Sequence, residues 1–473
     1  MFTSPFADVE IPELSIFDYL FTGLERDDLE RVALIDPATG AETTYAALRA
    51  QIEAFAGAVA ARGVGVGTVM AVLCPNVPAF ATVFHGILRA GGTVTTVNSL
   101  YTAGEIEKQL RDAGATWLVT VHPLLPQAQI AAEAAGIPHD RVIVLDGAPG
   151  HPNLRDLLTA GAPAPEVSFD PATHVAVLPY SSGTTGVPKG VMLSHRNLVA
   201  NVEQCRVSLD LRETDRVLAV LPFFHIYGMT VLLNLALRQR AGLVTMPKFD
   251  LVEFLTNIQN FGCTYLYIAP PIAVALAKHP VVDQFDISSV HTVFSGAAPL
   301  DGETAELAGR RINARMMQGY GMSELSPVSH AMPVDRHDIP VSSVGTMLPN
   351  TLNKLIDTET GEEITDVGPD GVTKPGDGCR GHRRARRRQA GDPQGVHRAR
   401  ARQRTHPGRG DGVRGRARRA AQEGAPGGVH RGDPEVRGRE DPPQRPAGAR
   451  GGSRLRFSPT TRLAPWTASG SRR

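Results

Sequence analysis

The chain has 473 residues, room for roughly two to four domains with sizeable cores, and a formal net charge of only +1. With no apolar run near the roughly 20 residues of a membrane-spanning helix, this composition excludes a wholly basic nucleic-acid binder, an integral membrane protein and a wholly disordered chain. The balance hides a split: residues 379–473 carry 25 Arg, no Lys and 7 acidic residues, for +18, which leaves residues 1–378 at −17.

No basic segment followed by an apolar stretch opens the chain, so no secretory signal is expected. Cys74, Cys205, Cys263 and Cys379 are scattered without CxxC or His/Cys ligand spacing, which points to a reducing cytoplasm with neither a disulfide framework nor zinc.

From about residue 40 to 320, short apolar runs alternate with longer amphipathic segments. In chain order the pattern predicts a strand at 69–73, a helix at 77–89, a strand at 93–97, a helix at 103–113 and strands at 117–121 and 142–145. After a Pro/Gly/Ala-rich connector at 147–165, strands follow at 175–178, 217–221, 244–246, 265–268 and 290–294. Strands alternating with helices of this length imply βαβ units. Their Val/Ile/Leu runs, lacking strict alternation, suit parallel sheets covered on both faces. The expected fold class is α/β.

The segment YSSGTTGVPKG (180–190) carries the most chemistry. It follows an apolar strand and gathers three glycines, four Ser/Thr hydroxyls and Lys189. Glycines let successive N–H groups approach a ligand, and hydroxyls with an ammonium add donors, a set suited to nucleotide phosphates. It is not a Walker A loop, because Gly190 follows Lys189 where that motif needs a hydroxyl. Three further segments stand out: LPFFHIYGM (221–229) with His225 and Tyr227, FSGAAPL (294–300), and QGYGMSE (318–324), read as a Gly-rich aromatic turn before Glu324.

In order and spacing, these segments together with NSLYTAGEIEKQL (98–110), PKFD (247–250) and APPI (269–272) resemble the adenylate-forming superfamily, in its branch of 4-coumarate and other acyl-CoA ligases. The resemblance runs to about residue 376. It implies a large domain of two βα-layered subdomains, 1–170 and 171–340, with an incomplete β-barrel at 341–376. It also implies ATP, Mg²⁺ and CoA as cofactor and co-substrates, and a two-step reaction through an acyl-adenylate to a thioester.

Carried over by position, the resemblance places Ser181, Ser182, Gly183, Thr184, Thr185, Gly186 and Lys189 on the triphosphate. Thr184 and Glu324 would lie at Mg²⁺, and Gln318, Gly319, Tyr320, Gly321, Met322 and Ser323 would flank adenine and the α-phosphate. The acyl group would meet Tyr227, Phe294, Gly296, Ala297 and Gly319, with His225 at the pocket mouth. Lys189, His225 and Glu324 are the expected catalytic set, and Lys248 the expected CoA contact. Ser323 stands where the family more often has Thr and keeps the hydroxyl. Phe294 should shorten the pocket and favour cinnamate-like or medium-chain acids.

The likeness stops at about Cys379. The tail has only four Val, two Leu, Phe457 and Trp466 as large apolar residues, too few for a core, so disorder is expected. With the underlying DNA shifted by one base, allowed codons turn 379–388 into AAVIGVPDDD, 393–396 into PKAF and 429–442 into FIEAIPKSAGGKIL. Those strings resemble the family's C-terminal motifs in order, with Glu440 where the shifted frame offers the late lysine. The expectation is an internal deletion that leaves the terminal domain out of frame and catalysis impaired. Two other readings are a nucleotide-binding remnant without turnover and a basic-tailed nucleic-acid binder. The second is disfavoured by the absence of Lys and the near absence of stacking aromatics.

Overall fold

The computed structural model describes residues 2–181, 188–356 and 363. The basic segment and most of the expected barrel lie outside them, as do the expected ligands Ser182, Gly183, Thr184, Thr185 and Gly186.

Two sheets form the frame. A six-stranded sheet runs in the order Leu193–Ser194, Val175–Val177, Thr93–Thr96, Val69–Leu73, Trp117–Thr120, Val142–Val144, parallel except at its Leu193–Ser194 edge. A nine-stranded sheet runs in the order Thr346–Met347, Val328–Ala331, Arg315–Gly321, Thr292–Ser295, Tyr265–Ile268, Arg216–Ala219, Gly242–Thr245, Val32–Asp36, Ala41–Thr44. Its six inner strands from Arg315–Gly321 to Val32–Asp36 are parallel and its margins antiparallel.

The apolar runs are continuous because both faces are covered. Met70 and Val72 point into the large central core, whereas Ala71 and Leu73 join a second cluster with Ile106 and Leu110 of helix Ala103–Asp112 and Ala128 and Ala131 of helix Leu125–Ala135. Polar caps start the covering helices. Thr102 and Glu105 form a capping box before Ala103–Asp112, Ser194 and Asn197 one before His195–Leu209, and Asp250 and Asp301 accept from Glu253 N–H and Thr304 N–H. Each such cap stabilises its helix by about 0.5–2 kcal/mol.

The strands expected between residues 69 and 294 form with ends shifted by a residue or two. Two departures matter. Val32–Asp36 and Ala41–Thr44 join the nine-stranded sheet while Val175–Val177 joins the six-stranded one, so the sheets interleave along the chain and do not part at residue 170. Gln318 to Gly321, expected as a turn, end the strand Arg315–Gly321.

The first described residues close on the last. Phe2–Thr3 pairs with Leu352–Asn353, and the Asn350 side chain bonds both the N–H and the carbonyl of Val9. Among the described residues no helix is long and apolar enough to cross a membrane.

Candidate active site

The site gathers where parallel strands of both sheets end, the usual place for ligands in α/β sheets. From the six-stranded sheet, Val175–Val177 runs into a hairpin whose legs, Tyr180–Ser181 and Lys189–Gly190, pair antiparallel. The Tyr180 ring covers Gly190, and its hydroxyl donates to Asp112 Oδ2 (2.5 Å). Burial, reinforced by that carboxylate, raises the Tyr180 pKa and keeps the hydroxyl protonated. The hairpin base is thereby held on helix Ala103–Asp112. Lys189 is exposed.

From the nine-stranded sheet, Arg315–Gly321 ends in the short helix Ser323–Leu325, which carries Glu324. The Ser181 hydroxyl donates to Glu324 Oε1 at 3.2 Å, so the two sheets meet at the hairpin base. Glu324 remains exposed and available as an oxygen ligand. Gln318 behaves differently. Its side chain is buried and donates to the carbonyls of Leu300 and Val341, so its amide N–H groups are committed to bracing the strand end.

Arg216–Ala219 and Thr292–Ser295 end on the same edge and supply the expected acyl site. Tyr227 is buried, its hydroxyl donates to the Phe294 carbonyl (3.2 Å), and its ring lies flat enough on Gly296 that a Cβ there would sit 3.0 Å from it. The Phe294 ring, also buried, reaches Gly319, where a Cβ would stand 2.4 Å from Cζ. Tyr227 therefore meets Phe294 and Gly296, and Phe294 in turn meets Gly319. Ala297, next in line, is exposed and holds φ +70°, a left-handed conformation uncommon outside glycine and frequent at functional sites.

His225 reaches solvent, yet desolvation by the protein around its ring lowers its pKa. Its Nδ1 accepts from Tyr227 N–H (3.3 Å), which places the proton of the neutral ring on Nε2. The following segment, Gly228–Asn234, is π-helical, a rare form frequent at functional sites. Gly228 is required there, since a Cβ would come within 2.1 Å of the Pro222 carbonyl oxygen. Lys248 is exposed beyond the neighbouring strand Gly242–Thr245.

Sequence reasoning missed two residues of the other sheet that hold this segment. Buried Asn76 donates to the carbonyls of Ala219 and Leu221 (both 2.8 Å) and accepts from Phe223 N–H (2.7 Å). The Thr96 hydroxyl donates to the Phe224 carbonyl (2.7 Å). The only signal for them is position: polar residues at or just past the ends of buried strands.

The model of the AMP-binding enzyme family matches residues 23–376. The chain belongs to the AMP-binding enzymes. It is 38% identical over 372 residues to 4-coumarate--CoA ligase 5 of Oryza sativa subsp. japonica, covering 76% of this chain and 68% of that protein. The 4-coumarate--CoA ligase of Pinus taeda is also 38% identical, over 377 residues, covering 77% of this chain and 69% of the relative. Among solved structures, a long-chain-fatty-acid-CoA ligase from Archaeoglobus fulgidus aligns with TM-score 0.71 at 26% identity, covering 77% of this chain and 74% of that one. ATP-bound MatB from Rhodopseudomonas palustris aligns with TM-score 0.65 at 29% identity, covering 74% and 68%.

This AMP-binding enzyme is by family an acid–thiol ligase, and the family uses ATP, Mg²⁺ and CoA. The donor set at the hairpin base fits those groups. A hydroxyl and an exposed carboxylate are hard oxygen ligands suited to Mg²⁺ beside phosphate.

Proposed function

We propose that the chain activates a cinnamate-like or medium-chain carboxylic acid with ATP, and that its turnover to the CoA thioester is impaired. In the first step a carboxylate oxygen attacks the α-phosphorus of ATP and pyrophosphate leaves. In the second the CoA sulfur attacks the acyl carbon and AMP leaves. Phosphoryl transfer of this kind needs positioning and charge stabilisation more than covalent protein chemistry.

The observation that carries the reading is the convergence at one edge of the Ser181–Glu324 contact and the Tyr227–Phe294–Gly319 wall. In this reading the hairpin, with Lys189 on its returning leg, grips the triphosphate, and Thr184 with Glu324 holds Mg²⁺, which neutralises phosphate charge when bound. Backbone from Gly319 to Ser323 flanks the adenylate, and Gln318 serves from beneath by fixing that strand. Neutral His225 presents its Nε2–H at the pocket mouth. Phe294 caps the acyl pocket, and Lys248 attracts the CoA phosphates.

The impairment follows from the tail. Residues 379–473 contain no lysine, so within them the late lysine of the resembling enzymes has no counterpart to complete the site when such sites close.

The test is a panel of cinnamate, octanoate and hexadecanoate assayed for pyrophosphate exchange and, with CoA, for thioester by mass spectrometry. Exchange with the first two acids and only traces of thioester support the proposal. Faster activation of hexadecanoate refutes the pocket argument, full thioester turnover refutes the impairment, and ATP binding without any exchange makes the chain a nucleotide-binding remnant.

A further inference from the structure

We infer that His330 is a positioning residue for the nucleotide site, holding the Tyr320 backbone through a directed chain of hydrogen bonds that begins at Asn353. The inference rests on the nucleotide reading above.

His330 lies on Val328–Ala331, directly across the antiparallel ladder from Tyr320. The ladder slips between Tyr320 and Gly321. Such a bulge leaves a backbone group without its regular partner and re-aims the chain, often beside an active site. Here the extra residue is Ser329, between His330 and Val328, which pair with Tyr320 and Gly321, and its buried hydroxyl donates to the Tyr320 carbonyl (3.4 Å).

Only one proton arrangement satisfies the neighbours. The Asn353 amide N–H donates to His330 Nε2 (2.7 Å), so Nε2 is unprotonated. The ring proton then sits on Nδ1, 3.0 Å from Ser329 Oγ, and is donated to it. With its lone pair engaged, Ser329 gives its own proton to Tyr320 O. The order Asn353 to His330 to Ser329 to Tyr320 is fixed at every link, and chains of this kind polarise cooperatively. Burial lowers the His330 pKa, which keeps the ring in the neutral form the chain requires.

His330 touches the site in two further ways. Its ring stands edge-on to the Tyr320 ring, centroids 6.0 Å apart and planes at 67°. Its carbonyl oxygen would lie 2.9 Å from a Cβ at Gly319. At the other end, Asn353 belongs to the strand that pairs with Phe2–Thr3, so the chain ties the closed terminus to the nucleotide strand.

The test measures ATP affinity of the full chain by calorimetry for wild type, His330→Ala, His330→Asn and Ser329→Ala, with the thermal midpoint of each. Asn keeps an N–H donor where Nδ1 stood. Loss of one such link should weaken ATP binding about tenfold in His330→Ala and Ser329→Ala, with His330→Asn within about threefold of wild type and affinity for the carboxylic acid unchanged in all. Wild-type ATP affinity in His330→Ala and Ser329→Ala overturns the inference alone. Should His330→Ala fail to fold, Ser329→Ala, which removes a single oxygen, decides it. A wild-type chain that does not bind ATP overturns the nucleotide reading itself.

Discussion

Acidification from pH 7.5 to pH 5 should cost the folded chain about 4 kcal/mol, and two buried histidines set that size. His85 is fully buried, T-shaped against the rings of Phe21 and Phe84, with the Asn234 side chain beside it opposing part of the effect of burial. His195 is equally buried; Nδ1 accepts from Ile16 N–H (3.1 Å), and Nε2 is unpartnered among the described residues. Burial lowers both pKa values to about 3, and at His195 the neighbouring His174 and His85 add to the effect.

A depressed folded pKa means that the unfolded chain takes up protons below about pH 6.5 while the folded chain does not until about pH 3. The stabilisation is therefore complete above pH 6.5 and is lost as the pH falls toward 3. At pH 5, about 1.5 units below the unfolded value, each histidine accounts for about 2 kcal/mol at about 1.36 kcal/mol per unit. His174, His225 and His330, also lowered by burial, act in the same direction. Carboxylates ionise mostly below about pH 4.5 and contribute little in this window. Urea unfolding followed by circular dichroism at the two pH values measures the loss, and His85→Leu should remove about half of it. A urea midpoint that stays constant or rises on acidification would refute the assignment of neutral buried histidines.

Phe294→Ala should cost about 3–5 kcal/mol in stability, because a buried ring leaves a cavity. It should also shift the acid preference toward longer chains, read by exchange with hexadecanoate against cinnamate. Gly319→Ala forces a methyl against both Phe294 Cζ and the His330 carbonyl, so the acid KM should rise about tenfold, matching the lower end of overpacking costs. Asn76→Ala orphans three buried backbone groups of the segment before His225 and should destabilise by at least about 2 kcal/mol in chemical denaturation. An unchanged midpoint would show that the segment does not depend on the other sheet.

The strand series was legible because strands buried on both faces must be apolar throughout, and Tyr265–Ile268 shows this with all four residues buried. The strand Arg315–Gly321 was not, because QGYG carries turn residues. It extends only through its pairing with Thr292–Ser295, a partner remote in sequence. Val32–Asp36 likewise finds its sheet through Gly242–Thr245. Within the site, motif residues announced themselves by type, but their use depends on partners that exist only in the fold. Gln318 reads as a ligand contact, yet its amide N–H groups go to Leu300 and Val341. Asn76 and Thr96 look like ordinary loop and strand polars until the carbonyls of Ala219, Leu221 and Phe224 are brought to them.

The central claim, activation of a carboxylic acid by ATP at this edge, is tested most directly by exchange of labelled pyrophosphate into ATP by the full chain with and without cinnamate. The account predicts slow exchange that appears only with the acid and falls at least about tenfold in Glu324→Gln, as loss of a charged ligand to phosphate chemistry requires. Exchange absent with every acid, or unaffected by Glu324→Gln, would contradict it.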